Sequence, residues 1–156
     1  MIVSKTFKVL GVEHIGIALD ENKKIKSFLE LLPGIDFSTR ENVKDQMVMT
    51  NIYKTNDAKI ELLNSTSKES TIKRYIERKG NGVHHIALCV DNLKNAIKEL
   101  SDNGIEFINQ NPRLGAEGCM IAFIHPRSTG GILFELCQRP QCDLGKLNAH
   151  NKKSII

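Results

Sequence analysis

The sequence predicts an α+β fold in which two βαβββ modules form a curved, half-barrel-like mixed sheet around a cleft. Three observations predict it. A histidine followed by alternating aliphatic and small residues occurs twice, in Glu13-His14-Ile15-Gly16-Ile17-Ala18-Leu19-Asp20 and in His84-His85-Ile86-Ala87-Leu88-Cys89-Val90-Asp91. Each copy is followed by a helical pattern and then by further strands. The copies also keep step: Glu61 follows His14 by 47 residues and Glu135 follows His85 by 50, each acid on the last strand of its copy.

Residues 1–8 read as a loose leader, without the basic and apolar segments of a secretion signal. Strand one covers Gly11 to Leu19, with His14, Gly16 and Ala18 on one face and Ile15, Ile17 and Leu19 on the other. Asp20 caps a helix through Leu31, its stripe formed by Ile25, Phe28, Leu29 and Leu32. Pro33-Gly34 stops it. Ile35-Asp36-Phe37 starts a second strand, residues 40–46 form a polar loop, and Met47 to Tyr53 is a third strand. After a turn at Thr55-Asn56-Asp57, a fourth strand from Ala58 to Leu63 puts Lys59, Glu61 and Leu63 on one face. A connector from Asn64 and a short helix at Thr71 to Lys79 lead to Gly80-Asn81-Gly82.

The second copy opens with a strand at 83–90. Asp91 or Asn92 caps a helix bearing Leu93, Ala96, Ile97 and Leu100, and Gly104 ends it. Ile105 to Ile108, a loop around Pro112, a strand at Cys119 to His125, a turn at Arg127 to Gly131 and a strand at Ile132 to Cys137 complete the module. Residues 139–156 are polar, lack periodicity and are expected to be disordered. The expected organisation is one domain over 1–156: module one at 9–66, a connector at 67–82, module two at 83–138 and a tail at 139–156.

Composition narrows the function. A hydrophobic content of 40% with 26% charged residues is that of a soluble globular chain long enough to bury a core. No run is apolar enough to span a membrane, so a cytoplasmic location is expected. The net charge of +4 is mild, the basic residues are scattered and there is no Trp, which argues against a nucleic-acid partner and suits an anionic small molecule. The four cysteines form no CxxC pair, and Cys89 and Cys137 fall inside strand patterns, as free thiols in a reducing compartment do.

Two histidines and two glutamates contributed symmetrically by a duplicated unit make a divalent-metal site from His14, Glu61, His85 and Glu135. Imidazole and carboxylate suit zinc, cobalt, nickel, manganese or iron. A single strand histidine is more often structural, and a single glutamate at a strand end is more often solvated. Repetition shifts the balance, because Glu61 lies between Ile60 and Leu62, and Glu135 between Phe134 and Leu136. An acid held in so apolar a strand calls for a cation or a donor. His84 is expected, by alternation, to face away from His85 in a structural role. His125 is read as a loop residue and His150 as part of the tail. The run His125-Pro126-Arg127-Ser128-Thr129-Gly130-Gly131 is read equally as an anion-approaching loop or as a simple hairpin.

The segments Glu13 to Ala18, Lys59-Ile60-Glu61-Leu62-Leu63, Gly82 to Ala87 and Ala122 to Leu136, over about residues 10–138, resemble the methylmalonyl-CoA epimerases of the vicinal-oxygen-chelate group, which also holds glyoxalase I. The His-Pro-Arg-Ser-Thr-Gly-Gly run before the last strand is the most specific part. The resemblance implies metal ligands at His14, Glu61, His85 and Glu135, with cobalt the leading ion. It also implies an acyl-CoA substrate, a homodimer, and epimerisation by α-proton abstraction through a metal-bound enolate. Glu135 is the preferred base, and Glu61 or a water near Gln46 the opposing acid. The departures lie at Gln46-Met47, where a Gln-Gly or His-Gly pair is usual, and at Val48, Met49 and Thr50, where some members carry a glutamate base. Glyoxalase I (lactoylglutathione lyase) chemistry and a metal-free binding or resistance protein are the alternatives on the same fold.

Overall fold

A computed structural model describes residues 6–140. The expectations for the tail beyond Pro140, including Cys142 and His150, lie outside the described residues. The elements in chain order are β1 (Val9–Ala18), α1 (Lys23–Glu30), β2 (Asp36–Val43), β3 (Val48–Lys54), β4 (Lys59–Ser65), α2 (Thr71–Lys79), β5 (Gly82–Val90), α3 (Leu93–Asp102), β6 (Arg113–Leu114), β7 (Met120–Ile124) and β8 (Phe134–Gln138). The eight strands form one curled half-barrel sheet in the order β2-β3-β4-β1-β5-β8-β7-β6. The order is symmetric about the β1/β5 seam. Each half runs outward from a histidine strand, through a parallel neighbour, to an antiparallel hairpin.

The seam is antiparallel and pairs His14 with Ala87 and Gly16 with His85. Each histidine ring therefore stands opposite a small residue. At Gly16 this is obligatory, because a Cβ there would fall 2.4 Å from Cε1 of His85. Small residues alternating with aliphatics thus make room for rings arriving from the facing strand.

The helices cover different faces. On one face, Leu29 of α1 packs with Leu19, Tyr53 and Leu62, and Leu93 and Ala96 of α3 pack with Val90, Ala122, Ile124 and Leu136. On the other, Ile72 and Ile76 of α2 close one end of the trough against Ala18, Val48 and Leu63. Cys119, Ile121, Phe123 and Cys137 fill the opposite side.

Five local expectations are corrected. Asp20 does not cap α1: the cap position is Asn22, with no side-chain cap bond, while Asp20 pairs with Lys73 at 3.3 Å. Phe28 leaves the expected stripe and is exposed. Residues 40–43 are not loop but the second half of β2, an edge strand whose charged residues meet water. The end of the leader is anchored: Phe7 packs against the α3 cluster, and the Lys8 backbone N–H donates to Asp91 at 2.8 Å. Ile105–Ile108 contributes only a single bridge, Phe107 to Ile124. Among the described residues no helix is long and apolar enough to cross a membrane.

Candidate metal centre

The two histidine strands both break their ladder just before the histidine. The β1/β5 register shifts between Val12 and His14, and again between Gly16 and Ile17 where β5 skips from His85 to Val83. Each shift is a bulge that leaves one extra residue, Glu13 on β1 and His84 on β5, and turns it toward the trough. Glu13 and His84 therefore line the same cavity as His14 and His85. This corrects the expectation for His84, whose Nδ1 lies 3.0 Å from Nδ1 of His85 while its ring stands edge-on to Tyr75. Unbroken alternation is what failed.

The cavity has a volume of about 380 Å³. At its base Nε2 of His14 and Nε2 of His85 are 2.9 Å apart. Glu135 places one carboxylate oxygen 3.7 Å from the His85 nitrogen and the other 3.9 Å from that of His14. Metal–nitrogen bonds of about 2.1 Å put neighbouring donors about 3 Å apart and opposed donors about 4.2 Å apart. These spacings fall in that window, so the donor set fits a divalent ion. Glu61 is placed differently. Its Oε1 is 3.5 Å from Nδ1 of His14, on the far side of the ring, where it groups with Glu13. The structure thus gathers His14, His85 and Glu135 directly and holds Glu61 beside them, against His14 alone.

Sequence reasoning missed Glu13. It is 1% exposed, and its Oε2 lies 2.5 Å from Nδ1 of His14. Its other oxygen is 2.6 Å from Lys59 Nζ and 3.2 Å from the Arg139 guanidinium. Lys59 also pairs with Glu117. A carboxylate on one ring nitrogen fixes which nitrogen faces the site and raises the basicity of the ring. The available signal was an acid immediately before a strand histidine, where a regular strand would point it at the helices. Cys119, Cys137 and Arg113, also unforeseen, complete the lining.

The electrostatics are those of acids short of a counter-charge. Burial raises the Glu135 carboxyl to about 7, with Glu61 and Glu13 adding to the rise and His14 opposing it. Burial likewise raises Glu61. Burial would lower His14, but the charge of Glu61 and the hydrogen bond that the ring donates to Glu13 override it and hold His14 at about 9. His85 is driven well below its usual range by burial and by the charge of His14, which keeps its ring neutral. A cation bound between these groups would take the place of the His14 proton, so its uptake would release a proton.

The His125 to Gly131 run is tied into its own turn. His125 Nδ1 accepts from the Arg127 backbone N–H at 3.1 Å, and Arg127 pairs with Glu106 at 3.5 Å. That is the hairpin reading of the loop.

A protein family described as the Glyoxalase/Bleomycin resistance protein/Dioxygenase superfamily matches residues 13–123. The chain is 39% identical over 127 residues to an uncharacterized Bacillus subtilis protein, YqjC, covering 81% of this chain and 91% of that one. It is 31% identical over 126 residues to a mitochondrial methylmalonyl-CoA epimerase of Dictyostelium discoideum, covering 80% and 76% of the two chains. Among solved structures, a Streptomyces coelicolor methylmalonyl-CoA epimerase variant in complex with 2-nitronate-propionyl-CoA is similar with a TM-score of 0.81 and 26% identity, covering 86% and 97%.

Proposed function

Since the chain belongs to the glyoxalase/bleomycin resistance protein/dioxygenase superfamily, we propose that it is an epimerase of methylmalonyl-CoA or a close acyl-CoA. His14, His85 and Glu135 are the residues that would hold a divalent ion, with cobalt our first choice, and Glu61 would join them by turning from the Nδ1 side of His14 to the Nε2 side. The supporting observation is the meeting of two imidazole nitrogens and the Glu135 carboxylate at the base of a cavity sized for an acyl group.

When bound, the ion supplies a Lewis acid that draws electron density from the thioester carbonyl and acidifies the α-hydrogen. Glu135 removes that hydrogen as a proton, its carboxylate standing within 3.9 Å of both imidazole nitrogens. Glu61, across the His14 ring from Glu135, returns a proton to the other side of the α-carbon. Glu13 keeps the His14 ring in place through the step. On β3 the cavity is lined by Val48 and Thr50, so that strand offers no third carboxylate. The same reading takes the chain as one domain of two modules, 9–66 and 83–138, and as a homodimer in solution.

The test is solvent-deuterium incorporation into racemic methylmalonyl-CoA, with and without a chelator. Exchange at the α-carbon is expected, lost on chelation and restored by cobalt. Glu135→Gln should lose roughly 10²- to 10⁴-fold of the exchange rate while still taking up metal. Exchange that ignores the chelator, or full activity in Glu135→Gln, overturns the assignment. Formation of a lactoyl thioester from a glutathione hemithioacetal would point to glyoxalase chemistry.

A further inference from the structure

Two cationic side chains other than histidine line the cavity, Lys59 and Arg113. Lys59 is neutralised by Glu13 and Glu117. Arg113 has no ion pair among the described residues, and its Nε is buried without a hydrogen-bond partner among them. A guanidinium N–H shut off from water and left unbonded is costly, and such a group in a cavity wall marks a place for an acceptor. Its position is held. The guanidinium carbon lies 5.4 Å from the centre of the Phe123 ring, and Phe123 in turn stands edge-on to His85 at 5.5 Å. One aromatic ring therefore separates this cation from the histidine pair.

We propose that Arg113 is a carboxylate-binding subsite that reads the free carboxylate of a dicarboxylic acyl thioester. The identity of that ligand rests on the epimerase reading; the subsite itself rests on the orphaned donor and its aromatic support. The Nε–H and a neighbouring Nη–H form a planar fork that matches the two oxygens of a carboxylate. A monocarboxylic acyl thioester such as propionyl-CoA offers this fork nothing. Arg113 would therefore separate the two classes of thioester independently of any ion. The phosphates of coenzyme A are a poorer match to the flat two-oxygen pattern that this fork presents.

The experiment uses chelator-treated protein, so that no ion competes for the carboxylate. The probes are malonate, methylmalonyl-CoA and propionyl-CoA. The ¹⁵N resonance of the Arg113 Nε–H, identified by its absence in Arg113→Lys, is followed together with the dissociation constants. Malonate and methylmalonyl-CoA are expected to move the resonance, and propionyl-CoA to leave it in place. Arg113→Gln should weaken methylmalonyl-CoA roughly ten- to a hundredfold and propionyl-CoA by less than about twofold. Arg113→Lys keeps the charge without the fork and should fall between; it also serves if the Gln variant does not fold. A resonance that ignores both carboxylates, or an equal loss for both thioesters, overturns the proposal. If malonate moves the resonance but metal-loaded wild-type protein does not exchange methylmalonyl-CoA, the epimerase reading falls and the carboxylate subsite stands.

Discussion

Gly16 shows how a residue without chemistry controls one that has it. Its missing Cβ is the space into which the His85 ring folds. Gly16→Ala should leave the sheet intact but push that ring away from His14, lowering cobalt affinity at least tenfold by calorimetric titration; unchanged affinity would show that the ring has another resting place. Glu13 acts on the partner ring. The His14 hydrogen bond and the charges of His14 and Lys59 outweigh burial and hold its carboxyl at about 2, below the ordinary 4.5. A depressed carboxyl contributes stability in full above its unfolded value and loses it as the pH falls through the folded one. Glu13→Gln should therefore cost about 3 kcal/mol at neutral pH, and the difference from wild type should shrink between pH 4.5 and 2 in urea unfolding of metal-free protein. His14, His85 and Glu135 were legible because each stands in a repeated pattern and regular alternation places it correctly. Glu13 was not, because a bulge is a defect in alternation and leaves no mark in periodicity. Glu61 was legible as to face, yet a side chain with three torsions still chooses between the two nitrogens of His14.

The capped helices separate what local sequence decides from what packing decides. Asn92 accepts the Asn95 backbone N–H at 2.9 Å, which ties down the first turn of α3. Asp20, equally suitable by type, instead serves an exposed pair with Lys73, and the α1 cap position makes no side-chain bond. Asn92→Ala should cost about 1 kcal/mol, and Asp20→Ala less than about 0.5 kcal/mol, in chemical denaturation. Equal losses would restore Asp20 as a cap. α1 and α3 appear in the sequence through apolar spacing, and α2 matches its expected span of 71–79. β2 was only half visible. Its last four residues, Arg40, Glu41, Asn42 and Val43, read as loop because an edge strand has one side to satisfy and its polar residues can face water. The stretch at 105–108 was over-read for the opposite reason: its apolar residues pack under α3 and make little ladder.

At the scale of the whole molecule, the candidate ligands lie on both sides of the β1/β5 seam, His14 and Glu61 on one side and His85 and Glu135 on the other. An ion held by all of them binds only when the halves are docked. Unfolding should shift with free metal, by about 2.7 kcal/mol when the ion is at a hundred times its dissociation constant, as read from denaturation with and without cobalt. A midpoint that does not respond would mean that the folded chain does not hold the ion. The duplicated architecture was readable because its repeat spans half the chain. What no repeat could disclose is how the sheet finishes at its margins. One outermost ribbon is β2, studded with Arg40 and Glu41; the other is β6, only two residues long. Neither offers a neighbouring copy a long bare row of amides to zip onto. Edge-to-edge addition of a second copy to this sheet is thereby disfavoured at both margins.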